Sequence, residues 1–220
     1  MARIMDVVSY LRSVIPREVF DYQVLMGCLS DYRKPRDVVT RLLSEGKIVR
    51  VKKGLYCFGE LYRRVPVLKE NLANLIYGPS YLSLDYALAY YGMIPERVYS
   101  LTSVTTRRSI RFDSPVGSFS YRTLPESKYS IGAVLLSVNN VSFMIASPEK
   151  ALVDKIWTDK RISGRRISDF KEYLSDDLRI DHSELIKLNM GSMSQIADAY
   201  SSAKIRNLVS FLEGAVSQYA

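Results

Sequence analysis

The sequence predicts an α+β fold in two parts. Three observations carry that reading. Near the start, helical stripes of apolar residues lead into two short strand-like runs joined by a Lys-Lys-Gly turn. From Val98 to Ala146, short runs rich in β-branched and aromatic residues alternate with turn residues. From Ser147 onward the apolar spacing returns to threes and fours. A chain of 220 residues can bury a proper core as one large or two small domains. The pattern places a first domain at 1–64, a connecting helix at 65–78 and a second domain at 79–220.

In the first part, Ile4, Val7, Leu11 and Val14 make an amphipathic helix that Pro16 ends. Asp21 can cap a second short helix carrying Val24, Leu25 and Cys28, and the turn Ser30-Asp31-Tyr32 leads out of it. Residues 33–58, RKPRDVVTRLLSEGKIVRVKKGLYCF, are the centre of the reading. Pro35 suits a first helical turn, where its missing N–H would have no partner anyway. Gly46 suits a left-handed stop. Between them Val38, Val39, Leu42 and Leu43 form an apolar stripe, while Arg36 and Thr40 lie four apart on another face, with Arg33 extending it. Ile48–Lys52 and Leu55–Phe58 read as strands around the tight cationic turn Lys52-Lys53-Gly54.

Three helices followed by such a hairpin is the order of a winged helix-turn-helix, with the first two helices packed on the stripe of the third. The helix from about Lys34 to Glu45 would enter a major groove N-terminal end first. Arg33, Arg36 and Thr40 would read or flank base edges, with Lys34 beside them, and Lys52 and Lys53 would straddle phosphates. Arg41 and Arg50 stand second in rank, since either can point to solvent. Tyr56 and Phe58 alternate on the hairpin, so at least one faces inward. An RNA reader would need exposed aromatics for stacking.

Charge supports this assignment. The net charge is +8 and the pI about 9.4, which favours polyanionic partners. Residues 1–64 hold 13 Lys and Arg against 7 Asp and Glu, and the other 156 residues hold 18 against 16. Most of the excess sits in the quarter of the chain that resembles a DNA reader.

The second part begins with Leu68, Leu72, Leu75 and Ile76 as a connecting helix ended by Gly78-Pro79. Ser83 can cap a helix with Leu84, Ala87, Leu88 and Tyr91 inside, stopped by Gly92. Strands are expected at Val98–Thr105, Ser109–Asp113, Val116–Arg122, Ala133–Val138 and Val141–Ala146. With turn chemistry at Asp113-Ser114-Pro115 and Asn139-Asn140, they should form a mainly antiparallel meander. Ser147-Pro148-Glu149 is a helix start, with Ala151, Leu152 and Ile156 inward and Trp157 at the end. The basic loop 158–166 is either a solvated connection or a second contact for a polyanion or partner. Ile167, Phe170 and Leu174 mark one helix, and Leu185, Ile186 and Leu188 another. One last helix should carry Ile196, Tyr200, Ala203, Leu208 and Leu212.

Site chemistry is sparse. The two cysteines, Cys28 and Cys57, read as small core residues of a reducing cytoplasm, and with one histidine no zinc-ligand spacing exists. His182 reads as a surface or capping residue. Lys150 and Asp154 are four apart on one helix face and read as an ordinary ion pair; Glu149 serves the helix N-terminus. Gly-Ser at 117–118 and 191–192 lacks the carboxylate pair of a nucleotidyltransferase. No Gly-rich phosphate loop or nucleophile motif occurs. No catalytic residue, metal or cofactor is therefore expected. Arg3 and Asp6 interrupt any signal peptide, and no 18-residue apolar run would span a membrane. The 16 tyrosines suit core and interface positions.

Four blocks in order, GKIVRVKKGLY at 46–56, SYLSLDYALAYYGMIP at 80–95, SPVGSFSYRTLP at 114–125 and IASPEKALVDKIW at 145–157, resemble the AbiEi-type antitoxins of type IV toxin–antitoxin systems. The resemblance runs from about residue 5 to the end. It implies an N-terminal winged helix that represses its own operon by binding promoter repeats, through Arg33, Lys34, Arg36, Thr40, Arg41, Arg50, Lys52 and Lys53. It also implies a C-terminal domain that counteracts a nucleotidyltransferase-like toxin, through the toxin or its RNA target. Two copies on an inverted repeat would act as a homodimer on DNA, with half-sites roughly 10 bp or a multiple apart. The chain looks short at its C-terminus for the family, so a standalone regulator without a toxin is the alternative. A winged helix that binds RNA or protein is another.

Overall fold

In the computed structural model, which describes residues 6–217, apolar spacing and turn chemistry build an α+β protein with two sheets. The chain divides into two units. The first runs to Leu72 and includes Asp113–Gly117; the second holds Ala73–Phe112 and the chain from Ser118 onward.

In the first unit, α1 (Val7–Val14) buries Val8 and Leu11, with Ile15 just beyond it, while Val14 is exposed. Leu11 is buried as expected and Val7 packs half-buried on the core, while Ile15 takes the inward place expected of Val14; Ile4 lies outside the described residues. A strand absent from the sequence reading, β1 (Val19–Asp21), follows. Asp21 then caps α2 (Tyr22–Cys28) as expected, its carboxylate accepting the Val24 N–H at 2.8 Å. Helix α3 (Pro35–Ser44) has proline in its first turn and buries Val39 and Leu42. Gly46 takes φ +65°, the left-handed stop its sequence position predicts. β2 (Ile48–Lys52) and β3 (Leu55–Phe58) form the hairpin, turning at Gly54 with φ +85°.

β3 is the middle strand, paired antiparallel with both β1 and β2, and all four of its residues are buried. Three strands and three helices share one core, which includes Leu11, Phe20, Leu25, Val39, Leu42 and Phe58. The rings of Phe20 and Phe58 lie 4.8 Å apart. Over Phe58, 4.2 Å from its ring centre, sits the guanidinium of Arg12, forked onto Glu18 through two 3.0 Å hydrogen bonds. Gly59 donates its N–H to the Lys47 carbonyl at 2.8 Å, and a Cβ there would overlap the Gly46 carbonyl. Glycine is required at that close backbone approach.

Helix α4 (Lys69–Ile76) carries the chain from the first unit into the second; Leu75, one of its expected inward residues, is exposed. The second unit's sheet has the order β6-β7-β5-β4-β9-β8. Its strands are β4 (Ser80–Leu82), β5 (Leu101–Thr105), β6 (Ile110–Ser114), β7 (Gly117–Thr123), β8 (Ala133–Val138) and β9 (Val141–Ala146). The sheet is mixed, which corrects the antiparallel meander: β5 runs parallel to β7 and β4 parallel to β9, whereas β4–β5 and β8–β9 are antiparallel. The cause is β4, a three-residue strand buried throughout that lies between β5 and β9. Asn139 and Asn140 both adopt positive φ, the conformation that a two-residue hairpin turn favours.

Helix α5 (Leu84–Tyr90) follows β4, and a short α6 (Glu126–Tyr129) precedes β8. Helix α7 (Pro148–Thr158) packs against α5 and β9, with Ala151, Leu152, Val153 and Ile156 fully buried. Ser147 caps it through the Lys150 N–H. Beyond it come α8 (Asp169–Glu172) with a π turn over Tyr173–Asp177, then α9 (His182–Ile186), α10 (Met190–Tyr200) and α11 (Ala203–Ser217). Two expected inward residues, Ile167 and Ile186, are exposed. The single terminal helix of the sequence reading is two helices, because Ser201 turns left-handed at φ +46°. Among the described residues no helix is long and apolar enough to cross a membrane.

Candidate nucleic-acid interface

Helix α3 and the two residues before it present the first group of predicted residues. Lys34 is its N-cap and makes no side-chain cap, so the positive end of the helix carries no anion from its own cap residue. Arg33, Lys34, Arg36, Thr40 and Arg41 are all exposed. Lys34 stands 4.0 Å from Asp37 and Arg41 4.0 Å from Glu45, in solvent-exposed pairs that constrain either lysine or arginine very little. Arg33 and Arg36 make no ion pair or side-chain hydrogen bond among the described residues. Thr40 donates its hydroxyl to the Arg36 carbonyl at 3.0 Å, so it keeps only acceptor capacity toward a ligand.

The hairpin presents the second group, and its members are unequal. Arg50 and Lys53 are exposed, and neither has an ion-pair partner among the described residues. Lys52 is half-buried, and burial pushes its ammonium pKa down. The register shifts between Arg50 and Lys52, which pair with Tyr56 and Leu55, so Val51 is the extra residue of a bulge and is buried. At the tip, the Gly54 carbonyl accepts the Tyr22 N–H at 2.9 Å, tying the turn to the start of α2. Tyr56 and Phe58 are both buried, so β3 offers no aromatic face for base stacking.

Four other cations of the unit have partners within it. Arg12 is held by Glu18. Arg63 donates to the Phe58 carbonyl at 2.8 Å, and Arg64 to the Arg12 carbonyl at 2.6 Å. Lys47 pairs with Glu45 at 3.0 Å and Asp6 at 3.3 Å.

In the second unit Lys150 and Asp154 form the expected ion pair, and both side chains are completely buried. Lys150 Nζ donates to Asp154 Oδ1 and the Lys128 carbonyl, each at 2.8 Å, and to the Tyr200 hydroxyl. Asp154 also accepts from Tyr200, from Tyr81 at 3.0 Å and from Ser83 at 2.7 Å. Burial pushes the Lys150 pKa down and Asp154 opposes it. Burial, then the Asp154 charge, keeps the Tyr81 and Tyr200 hydroxyls protonated far above the usual phenol range. Ser83 thus does not cap α5. Thr102 of β5 does so instead, its hydroxyl accepting the Tyr86 N–H at 3.0 Å, and Leu84 beside Ser83 is held at φ +60°. Glu149 is buried and accepts the Asn189 N–H at 2.9 Å.

The loop 158–166 is pinned rather than open. Asp159 accepts from Arg161 and from the Tyr173 hydroxyl, both at 2.7 Å, and its carbonyl accepts from Lys204 at 2.9 Å. Burial alone would raise the Asp159 carboxyl, but the hydrogen bonds from Arg161 and Tyr173 outweigh it and hold the carboxyl well below the usual range. A carboxylate with a depressed folded-state pKa adds stability that is full above the unfolded value and lost as pH falls through the folded one. In Asp159→Asn the stability deficit against wild type, measured by urea unfolding, should therefore be present at neutral pH and shrink below about pH 4. A deficit independent of pH would rule out the carboxylate as its source.

Cys57 is buried and Cys28 half-buried, both as free thiols. His182 opens α9 and lines a cavity of about 520 Å³ with Leu174, Leu185 and Phe211. Among the described residues no group of three or more His, Cys, Asp or Glu could hold a metal ion. No protein-family model matches the chain, and no curated protein is significantly similar to it.

Proposed function

We propose that the first unit is a winged helix-turn-helix that binds duplex DNA, and that the chain is a DNA-binding antitoxin and autorepressor of a type IV toxin–antitoxin operon. The observation that carries the DNA reading is the pair Arg33, just before α3, and Arg36, in its first turn, both exposed and without side-chain partners among the described residues. The order α1, β1, α2, α3, β2, β3 supports the winged-helix assignment. Arginine forks onto guanine edges or phosphates. Lys53 at the hairpin tip supplies a phosphate contact beside the groove. Lys52, half-buried, is the weaker of the two lysines. Burial of Tyr56 and Phe58 favours duplex DNA over single-stranded RNA.

The antitoxin half of the proposal rests on the sequence resemblance. The blocks at 80–95 and 145–157 hold Tyr81, Ser83, Lys150 and Asp154, the buried frame of the second unit. They speak for a shared scaffold and assign no residue to a toxin or its RNA target.

The test is a gel-shift titration against the upstream DNA of the chain's own gene, with scrambled competitor, at two salt concentrations. Arg36→Ala should cost about 1–3 kcal/mol of specific binding and relax the preference at one base position. Lys53→Ala should weaken binding to all sequences alike and lower the salt slope by about one unit. No preference over scrambled DNA would overturn the repressor reading. Co-purification of the neighbouring gene product tests the antitoxin reading separately, and its absence favours a standalone regulator.

A further inference from the structure

The two edges of the second unit's sheet are unlike. β6, at one end of the order, carries Arg111 and Asp113. Charged side chains are a common defence of an exposed edge, because a second strand cannot pair there without bringing them together or desolvating them. β8, at the other end, reads AVLLSV and has no charge, proline or bulge; its pairing with β9 is regular from Ala133↔Ala146 to Val138↔Val141. The whole stretch 132–147 contains no ionisable side chain.

Elsewhere the fold covers its open strand backbone. Where β9 extends past its single pairing with β4, Asn74 stands in for a strand. Its amide oxygen accepts the Met144 N–H at 2.6 Å, and its amide nitrogen donates to the Met144 carbonyl at 3.3 Å. β8 has no such cover. Beyond the N–H of Ala133, which reaches Ser130, no backbone hydrogen bond outside the β8–β9 ladder meets the strand among the described residues. Leu135 is 63% exposed, and Val138 and Val141 beside the turn are exposed as well.

We infer that β8 pairs antiparallel with β8 of a second copy of this chain about a two-fold axis, joining the two six-stranded sheets into one. Charge is compatible with this occupant. Residues 65–220 hold 18 Lys and Arg against 16 Asp and Glu, and the stretch 132–147 holds no ionisable side chain, so two copies meet along β8 without opposing like charges on the paired strands. An antiparallel strand paired with itself satisfies both open backbones with one self-complementary patch, the requirement of a two-fold interface. Leu135 would then lie over apolar side chains of the partner strand instead of in water. The inference stands without the DNA reading, since it concerns only the second unit's sheet.

The test uses the full chain without DNA. Sedimentation equilibrium over a range of concentrations should show a monomer–dimer equilibrium for wild type. Leu135→Lys, at a position already open to solvent, should sediment as a monomer. Leu61→Lys, which adds the same charge at a residue 92% exposed in the first unit, should dimerise as wild type does. Hydrogen exchange should show the amides of 134–138 gaining protection as concentration rises. A wild-type monomer at every concentration, a Leu135→Lys variant that dimerises normally, or β8 amides whose exchange ignores concentration would each overturn the inference. None of these results bears on DNA binding, so this failure and failure of the repressor reading are distinguishable.

Discussion

Replacing Asp154 with alanine should cost about 3–5 kcal/mol of folding stability, the range for breaking a buried ion pair by removing one partner. The substitution strands the Lys150 ammonium where no solvent reaches it and removes the acceptor of Tyr81, Ser83 and Tyr200. Against the roughly 5–15 kcal/mol that holds a typical protein folded, that loss is large. A buried lysine can escape the penalty by losing its proton. Its folded pKa then lies below the unfolded one, the unfolded state binds more protons, and stability rises with pH up to the ordinary lysine range. The deficit of Asp154→Ala in urea unfolding should accordingly shrink at alkaline pH. Adding Lys150→Met should recover a substantial part of it at neutral pH, because the stranded charge is gone. A loss below about 1 kcal/mol, the scale of an exposed pair, would show that solvent reaches the pair after all.

In the first unit Glu18→Ala should cost about 3 kcal/mol, at the low end of the same range because both partners keep some exposure. The Arg12 guanidinium would remain over Phe58 with no counter-charge, and the Arg64 N–H would lose its acceptor at 3.2 Å. Removing the acid from an exposed pair on α3 gives the contrast. Asp37→Ala and Glu45→Ala should each change stability by no more than about 1 kcal/mol. Thermal or urea unfolding of the three variants separates structural cations from available ones. If Glu18→Ala matched the two surface variants, Arg12 would belong with the mobile charges that could meet a polyanion.

These contrasts also mark where reading the sequence succeeds. Pro35 at the start of α3, the left-handed Gly46 and Gly54, the Asp21 cap, the Asn139-Asn140 turn and the Ser147-Pro148 helix start are local events. Each depends on the φ/ψ preferences of one or two residues and on partners within a few positions, so the order of residues determines it. The strands β8 and β9 were legible for the same reason, since each is a short apolar run rich in β-branched residues bounded by the Asn139-Asn140 turn signal. The exposed face of α3 followed from helical period alone.

Tertiary structure decided what depends on distant neighbours. β1 and β4 are three residues each, too short for any period to register, and β4 makes the sheet mixed by lying between β5 and β9. Ser83 has the sequence of a cap, yet its hydroxyl goes to Asp154, 71 residues away, while Thr102 takes the capping role. The spacing of Lys150 and Asp154 predicts their ion pair but not its burial. Tyr200, 46 residues beyond Asp154, and Tyr81, on β4, help place them out of reach of solvent. The count of arginines showed where positive charge lies along the chain. Only the fold showed that Arg12, Arg63 and Arg64 are tied to partners while Arg33 and Arg36 have none among the described residues, because desolvation and pairing belong to the environment of a charge and not to its identity.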